Sequence, residues 1–162
     1  MPEPLLSTAD WFASLPSVYL SASMLITDSD DRMLLVKPNY RPDWGVPGGI
    51  VEADEAPDKC VTREIAEELG LDIPAGDLLV VDWMAAAGER PQAIMNFIFD
   101  GGVLADPGAI RLQEEELDDA EFLDWAEAEA RMAPATAARV PAARLARQTR
   151  RTVYLPGRPR QD

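Results

Sequence analysis

The residues best suited to chemistry are glutamates that recur at short intervals between residues 49 and 71. Glu67 and Glu68 follow Glu64 by three and four positions. On a helix these side chains would be neighbours, and each like-charged pair would cost roughly a few tenths of a kcal/mol. A divalent cation removes that repulsion. Mg²⁺ prefers hard oxygen ligands and keeps several waters, so a carboxylate cluster and a substrate's phosphates can share it. The spacing therefore indicates a Mg²⁺ site, in which Mn²⁺ can substitute.

These glutamates are predicted to lie on a helix that spans residues 57–69. Pro57 suits a first helical turn, where a missing N–H costs little, and Gly70 is a natural stop after the last turn. At about 100° per residue, three apolar residues fall on one stripe that would face a core: Val61, Ile65 and Leu69. The glutamates occupy the adjoining arc. Runs of glutamate on a helix usually form a solvated face. Here a metal site is favoured by the glycine turn before the helix, by the arginine of the helix and by the spacing of the glutamates.

The whole stretch from Gly49 to Leu71 reads G-x5-E-x7-R-E-I-x-E-E-x-G-L. It resembles the Nudix box, the signature of hydrolases that use divalent cations to split diphosphates linked to another moiety. Every specified position is filled: Gly49, Glu55, Arg63, Glu64, Ile65, Glu67, Glu68, Gly70 and Leu71. The preceding Trp44-x-x-Pro47-Gly48-Gly49 is similar to the lead-in common in the MutT-type branch of the family. The resemblance covers most of residues 17–130 and implies an α/β fold, the Nudix-type α/β/α sandwich with a mixed β-sheet.

Matching positions in the motif imply the roles of individual residues. The metal ligands would be the Gly48 carbonyl, Glu64, Glu67 and Glu68. Arg63 would orient these ligands rather than bind the metal, because its guanidinium can hold a carboxylate in a bidentate fork, and Glu55 is the acid of the box that could accept it. The alternative for Arg63 and Glu55 is a plain surface ion pair.

A further glutamate is expected from a loop late in the chain, because many members of the family supply one there. Here Gln113-Glu114-Glu115-Glu116-Leu117 precedes Glu121-Phe122, and Glu116 is the best positional match. Glu115 is a fair substitute, and three consecutive glutamates are equally typical of a solvated loop. The residues expected to take part in catalysis are therefore Arg63, Glu67, Glu68 and Glu116.

The expected reaction is Mg²⁺-dependent hydrolysis of a diphosphate bond by a metal-activated water. Glu67 or Glu116 would accept the proton of that water. The substrate would be a nucleoside di- or triphosphate, or a nucleoside diphosphate linked to another moiety. The alternative is a catalytically weak Nudix-fold module that binds nucleotides or regulates. Four aromatic residues are possible stacking partners for a base, although core positions are favoured for them: Tyr40, Trp44, Trp83 and Phe97.

The net charge of −14 is distributed unevenly along the chain, since residues 1–130 sum to −21 and residues 131–162 to +7. The acidic part should repel nucleic acid. Five arginines near the C-terminus recur at helical intervals among alanines: Arg139, Arg144, Arg147, Arg150 and Arg151. They are predicted to form the exposed face of a terminal helix lying against the acidic body, in preference to an RNA-binding arm.

The single cysteine, Cys60, cannot form an internal disulfide, which favours a cytoplasmic location. Without any histidine in the chain to activate its thiol, packing is the expected role of Cys60. The apolar runs are far too short for a bilayer span. The run over residues 78–81 and the N-terminal helix suggest surface for a second subunit, so a homodimer is expected.

One domain is expected from the length of 162 residues. It would span residues 17–153, after an extension over residues 1–16 with a short helix at 8–15, and before a flexible tail at 154–162. Strands are predicted at residues 19–27, 32–37, 78–84, 93–100 and 121–125. Beyond the helix at 57–69, helices are predicted at residues 126–132 and 135–150.

Overall fold

A mixed seven-stranded β-sheet is the centre of the computed structural model, which describes residues 6–157. The strands are β1 (Tyr19–Thr27), β2 (Met33–Pro38), β3 (Gly48–Ile50), β4 (Leu78–Met84), β5 (Ile94–Val103), β6 (Leu117–Leu123) and β7 (Val153–Leu155). The helices are α1 (Thr8–Ser14), α2 (Pro57–Leu69), α3 (Trp125–Arg131) and α4 (Arg139–Thr149), with a short 3₁₀ turn at Pro107–Ala109. This arrangement confirms the predicted α/β fold with a mixed sheet.

The sheet is buried on both faces, which is why its strands read as nearly continuous apolar runs. Along β1, Ala22, Met24 and Ile26 face a core that includes the apolar stripe of α2. Leu25 faces the opposite core, which includes residues of α3 and α4. Helices thus cover the sheet on two sides, as the sandwich architecture requires.

The strand order is β6-β2-β1-β5-β4-β7, and β3 also pairs with β1. One edge of β1 is shared: β2 pairs with its C-terminal end at Thr27, and β3 pairs antiparallel with Ser21, Ala22 and Ser23. The other edge of β1 pairs in parallel with β5. The division of one edge between two strands brings the glycines of β3 onto the centre of the sheet.

The two largest errors in the predicted boundaries concern a strand and a helix in the C-terminal half. The last predicted strand was placed at residues 121–125, but β6 runs from Leu117 to Leu123 because its whole length pairs antiparallel with β2. The last helix was predicted from residue 135, but α4 begins at Arg139. Pro141 explains the later start, because a proline lacks the N–H that an interior helical position must donate and fits only the first turn.

The predicted start of the flexible tail at residue 154 was also wrong, because Tyr154 and Leu155 belong to β7. This strand pairs in parallel with β4, and the Thr152 hydroxyl donates to the Leu78 carbonyl at 2.8 Å. The remaining tail residues 158–162 and the first five residues of the predicted extension lie outside the described residues. Since β7 and β5 flank β4, and Leu79 and Val80 are buried, the chain itself covers much of the apolar run at 78–81.

Two of the arginines of α4 point toward the sheet, contrary to the prediction that all five face solvent. Arg139 donates to Asp82 at 2.7 Å, and both side chains are largely buried. Arg147 donates to Asp100 at 3.1 Å and to the Leu25 carbonyl at 3.0 Å. The helix therefore contacts the acidic body of the protein through ion pairs as well as through its alanines.

None of the helices within residues 6–157 is both long enough and apolar enough to cross a membrane.

Asp28 organises the turn between β1 and β2. Its buried carboxylate accepts hydrogen bonds from the backbone N–H groups of Asp30 and Arg32, at 3.0 and 2.9 Å, and from the Arg32 side chain at 2.8 Å. Burial raises the pKa of Asp28, but the hydrogen bonds and the charge of Arg32 outweigh burial, so the net shift of the pKa is downward.

We expect Asp28→Asn to lower the free energy of unfolding near pH 7 by ~1 kcal/mol, because hydrogen bonds to a charge are lost. Since the folded pKa of Asp28 lies below the ordinary value of 3.8, the charge stabilises fully above that pH, and its contribution disappears as the pH falls through the folded pKa. Urea unfolding at neutral and acidic pH measures both effects. Asp30→Asn, at an exposed neighbour, is the control. An Asp28→Asn deficit that persists unchanged in acid would contradict this account.

Candidate active site

Helix α2 begins and ends where the sequence predicts, and its two faces differ as expected. Val61, Ile65 and Leu69 are fully buried. Gly70 takes a left-handed conformation with φ of 66°, which ends the helix. The three glutamates lie at the edge of this buried stripe, where Glu68 is buried, Glu64 is half-buried and Glu67 is exposed.

The turn at Gly48 and Gly49 packs closely against α2 and β1. A Cβ atom at Gly49 would lie 2.4 Å from the Glu64 carboxylate, and one at Gly48 would lie 2.1 Å from the Ala22 carbonyl oxygen. Gly48 also has a φ of 139°, a conformation that side chains rarely adopt. Its N–H donates to the Glu68 carboxylate at 2.8 Å. Only glycine at both positions allows this approach, so the turn and the helix form one surface.

Arg63 connects the carboxylates of this surface. Its Nε and Nη2 donate to the two oxygens of Glu55 at 2.9 and 3.0 Å, in the bidentate fork that the motif implies. Its Nη1 donates to Glu64 at 2.9 Å and to Glu67 at 3.0 Å. The fork lowers the pKa of Glu55 to about 2. Because one guanidinium contacts three carboxylates, this is a network rather than an isolated surface ion pair.

The acidic cluster carries more negative charge than Arg63 compensates. Burial raises the pKa of Glu68 to about 7, with further contributions from the charges of Glu64 and Glu116, although the Gly48 N–H acts in the opposite direction. Burial also raises the pKa of Glu64, despite its hydrogen bond to Arg63. Such shifts indicate a surface on which additional positive charge would be stabilised.

The loop before β6 places Glu116 beside these glutamates. The backbone N–H groups of Arg111 and Gln113 donate to the last carbonyls of α2, those of Leu69 and Glu68, at 2.8 and 3.0 Å. On its other side, the Asn39 N–H donates to the Glu116 carbonyl at 2.9 Å. The loop is therefore bound to the end of α2, and the charge of Glu116 acts on both Glu64 and Glu68.

The oxygen donors of this surface suit a hard divalent cation. Within residues 6–157 no three acidic or other ligating side chains already converge as a metal site. The hydrogen bonds explain this, because Arg63 binds Glu64 and Glu67 while the Gly48 N–H binds Glu68. The donors fit Mg²⁺ in chemistry, since carboxylate and carbonyl oxygens are its preferred protein ligands.

Cys60 lies on the buried side of α2 and contributes to the core there. Burial is the main cause that raises the pKa of its thiol to about 12, and the charges of Glu55 and Glu64 act in the same direction. The thiol therefore stays protonated at neutral pH, as expected for a packing role.

A cavity of about 300 Å³ lies next to the glycine turn, on the face of the sheet that α3 and α4 cover. Trp44 and Tyr40 line it. Trp44 also packs against the core, whereas Tyr40 is 73% exposed, so the favoured core interpretation was wrong for Tyr40. Sequence reasoning missed its polar residues, which include Ser21, Ser23, Arg41, Asn96 and Arg139. Their sequence signal was the presence of polar residues on one face of otherwise apolar strands, which could have indicated a cavity there.

The match of the NUDIX domain model to residues 19–144 identifies the family. A MutT-like protein from Streptomyces ambofaciens is 32% identical over 40% of this chain and 42% of its own length. A prenyl-diphosphate phosphatase from Methanosarcina mazei is 26% identical over 76% of this chain and 72% of its own length. A crystal structure of a UDP-X diphosphatase superposes with a TM-score of 0.69 at 20% identity, over 93% of this chain and 75% of that one. The chain belongs to the Nudix family. It spans less than half the length of the first curated relatives that it matches.

We expect Gly49→Ala to lower kcat for diphosphate hydrolysis ~10-fold or more, because the added methyl would displace the Glu64 carboxylate and misplacement of a site group by about 1 Å is costly. Steady-state kinetics and the melting temperature are the measurements. Gly108→Ala, in the exposed 3₁₀ turn, is the matched control. An unchanged kcat in Gly49→Ala would show that hydrolysis does not depend on the close approach of this turn to Glu64.

Proposed function

We propose that this enzyme hydrolyses a diphosphate bond in a nucleoside di- or triphosphate, or in a nucleoside diphosphate linked to another moiety, and that it requires Mg²⁺. The observation that carries the proposal is the contact of the Gly48-Gly49 turn with Glu64 and Glu68, beside a cavity large enough for the rest of a substrate. Mn²⁺ would replace Mg²⁺, because the donors are oxygens.

The proposed cation ligands are the Gly48 carbonyl, Glu64, Glu67 and Glu68. When bound, Mg²⁺ neutralises phosphate charge and lowers the pKa of a coordinated water. Arg63 positions Glu64 and Glu67 through its hydrogen bonds, and Glu55 fixes the guanidinium in turn. This division of roles fits the hydrogen bonds, because one guanidinium joins Glu55 to Glu64 and Glu67.

A glutamate accepts the proton of the attacking water as the new P–O bond forms and the bridging P–O bond breaks. Two glutamates are candidates for this general base. Glu67 is exposed on α2 and hydrogen-bonded to Arg63, whereas Glu116 lies on the neighbouring loop and has no position in the box. Protonation of the bridging or departing oxygen completes the reaction, which yields two phosphorylated products and needs no covalent intermediate.

A catalytically weak module that binds nucleotides is the alternative to this proposal. It would keep the fold and the cavity but would release no phosphate or monophosphate from mixed nucleotides in the presence of Mg²⁺. The complete set of acidic residues supports the enzyme, because a binding module has no need for a carboxylate cluster that is costly without a cation.

Three further expectations remain proposals. A cytoplasmic location is supported by the single, buried Cys60. A homodimer now has support only from α1, whose Trp11 and Phe12 are exposed. Binding of nucleic acid is unfavourable for the acidic body of the protein, since like charges repel.

The metal proposal predicts that millimolar Mg²⁺ raises the melting temperature, as any ligand of the folded state does. Hydrolysis should stop with a chelator and return when Mg²⁺ is restored. Glu68→Gln keeps the size of the side chain but removes its charge, so more Mg²⁺ should be needed for half-maximal activity. Identical melting curves with and without Mg²⁺, in the presence of a nucleotide, would exclude a metal cluster on α2.

The identity of the general base can be tested by substitutions in the loop before β6. If Glu116 accepts the proton, Glu116→Gln should lower kcat by ~10²–10⁴-fold and leave the Mg²⁺ concentration for half activation nearly unchanged. Glu67→Gln tests the candidate on the helix, and Glu115→Gln is the matched control on the loop. Near-normal turnover by Glu116→Gln would leave Glu67 as the base.

A further inference from the structure

One arginine faces the cavity beside the glycine turn from the loop between β2 and β3. Arg41 lines this cavity, and its guanidinium lies so close to Gly45 that a Cβ atom on that glycine would be 2.6 Å from the Arg41 Nη2. Lys37 holds the backbone of the loop, because its Nζ donates to the carbonyls of Pro38 and Arg41 at 3.0 and 2.7 Å. These contacts position Arg41 at the wall of the cavity.

The guanidinium of Arg41 has no counter-ion among residues 6–157. No carboxylate in that range lies within ion-pair distance of its nitrogens, not even that of Asp43, which lines the same cavity. Its Cζ lies 5.9 Å from the ring centroid of the exposed Tyr40. Three other arginines of this part of the structure each bind a carboxylate: Arg63 at Glu55, Arg131 at Glu121 and Arg139 at Asp82. The charge of Arg41 is therefore available to a ligand.

The charge of Arg41 acts on two groups of the site. Burial is the main cause that raises the pKa of Glu68, and the charge of Arg41 opposes that rise. Burial is also the main cause that lowers the pKa of Arg139, and the charge of Arg41 adds to that lowering. Asp82 compensates the charge of Arg139, whereas Arg41 is near the acidic cluster without being paired to it. The site thus combines excess negative charge on α2 with one uncompensated positive charge in the adjacent cavity.

The loop that carries Arg41 is joined to the loop that carries Glu116. The Asn39 N–H donates to the Glu116 carbonyl at 2.9 Å, and the Asn39 side-chain amide donates to the Glu115 carbonyl at 2.8 Å. The Glu116 loop is in turn bound through its backbone to the last carbonyls of α2. The arginine, the loop glutamate and the acidic face of α2 therefore belong to one hydrogen-bonded unit, which holds the cation close to the cluster.

A diphosphate complements this distribution of charge. The phosphate group that water attacks would lie at the acidic cluster, where the cation proposed above offsets its charge. The other phosphate group keeps its own charge and gains more as the bridging P–O bond breaks. A planar guanidinium matches two phosphate oxygens in a bidentate fork. A cation that is fixed in place also stabilises charge that develops in the transition state.

We propose that Arg41 is a catalytic residue that binds the departing phosphate group of the substrate. The water oxygen forms a bond to the phosphorus at the acidic cluster, the water proton passes to the glutamate base, and the bridging P–O bond breaks. The electron pair of that bond stays on the bridging oxygen of the departing phosphate, whose charge Arg41 stabilises by hydrogen bonds. This assignment rests on the proposed function for the position of the attacked phosphate group.

Kinetics of Arg41 variants test this role on whichever of ADP-ribose, UDP-glucose and dGTP the wild type hydrolyses fastest. Arg41→Gln should lower kcat ~100-fold, because a donor to the developing charge is lost, and should raise KM only ~10-fold. Arg41→Lys keeps the charge without the fork and should recover part of kcat. Arg151→Gln removes the same charge from an exposed arginine after α4 and is the matched control. Normal turnover by Arg41→Gln would overturn the proposal.

Binding of methylenediphosphonate, a diphosphate analogue that resists hydrolysis, separates this inference from the proposed function. In millimolar Mg²⁺, calorimetry should give a Kd that is ~10-fold higher for Arg41→Gln than for the wild type and Arg151→Gln. Weaker binding by Arg41→Gln, without hydrolysis of any nucleotide by the wild type, would refute the proposed function and support the phosphate contact. Equal Kd values, or no binding by the wild type, would overturn the contact.

The melting temperature of the ligand-free protein distinguishes a phosphate contact from a structural role. It should be the same for Arg41→Gln and the wild type, because Arg41 forms no ion pair within residues 6–157 that the substitution would break. Methylenediphosphonate should then raise the melting temperature of Arg41→Gln less than that of the wild type. A large drop in the melting temperature of ligand-free Arg41→Gln, with Arg41→Lys equally affected, would show that Arg41 supports the fold and would overturn the proposal.

Discussion

The close approach of a glycine turn to α2 is the contact on which the site depends. At Gly49 there is no room for a side chain beside Glu64, and at Gly48 a side chain would collide with the backbone of β1. The same turn presents an N–H to Glu68. Packing of backbone against carboxylates thus determines where the acids lie, and the rest of the sheet serves to hold β3 and α2 at this separation.

Electrostatics explains why a positive charge in addition to Arg63 would stabilise the arrangement. Arg63 joins Glu55, Glu64 and Glu67, but Glu68 lies deeper and receives only a backbone N–H. A buried carboxylate with one neutral donor and charged neighbours prefers to bind a proton, and its raised pKa expresses this preference. A divalent ion would satisfy the same demand more strongly, so the folded chain carries a stored electrostatic cost that ligand binding can relieve.

The sequence predicted the elements whose signals are local. Helix α2 was correct at both ends because Pro57 and Gly70 act on their immediate neighbours. The pairing of β7 with β4 depends on residues distant in the chain, and no local pattern distinguished Val153–Leu155 from a tail. The start of α4 was recoverable from Pro141, whose missing N–H outweighs the helical preference of the alanines before it.

The residues of the candidate site also divide into those with local sequence signals and those brought together by distant pairings. Glu64, Glu67 and Glu68 could be predicted to be neighbours because their spacing places them on one face of a helix. The buried polar residues that line the cavity were not predicted, because Ser21 and Asn96 become neighbours only when β1 and β5 pair. Glu116 is an intermediate case. Its position in the chain made it a candidate, and backbone hydrogen bonds from its loop to the end of α2 bring it near the acidic cluster.

The pairing of β7 with β4 also constrains how the protein is made. Until Val153–Leu155 has left the ribosome, β4 has a partner on one side only, and the unpaired backbone N–H and C=O groups of its other edge are available to other chains. The last short strand therefore acts as a cover for the sheet as well as a part of it. A chain that ends shortly before residue 153 would contain every residue of the acidic cluster but would leave one edge of β4 unpaired. Protection from aggregation therefore depends on residues other than those of the cluster.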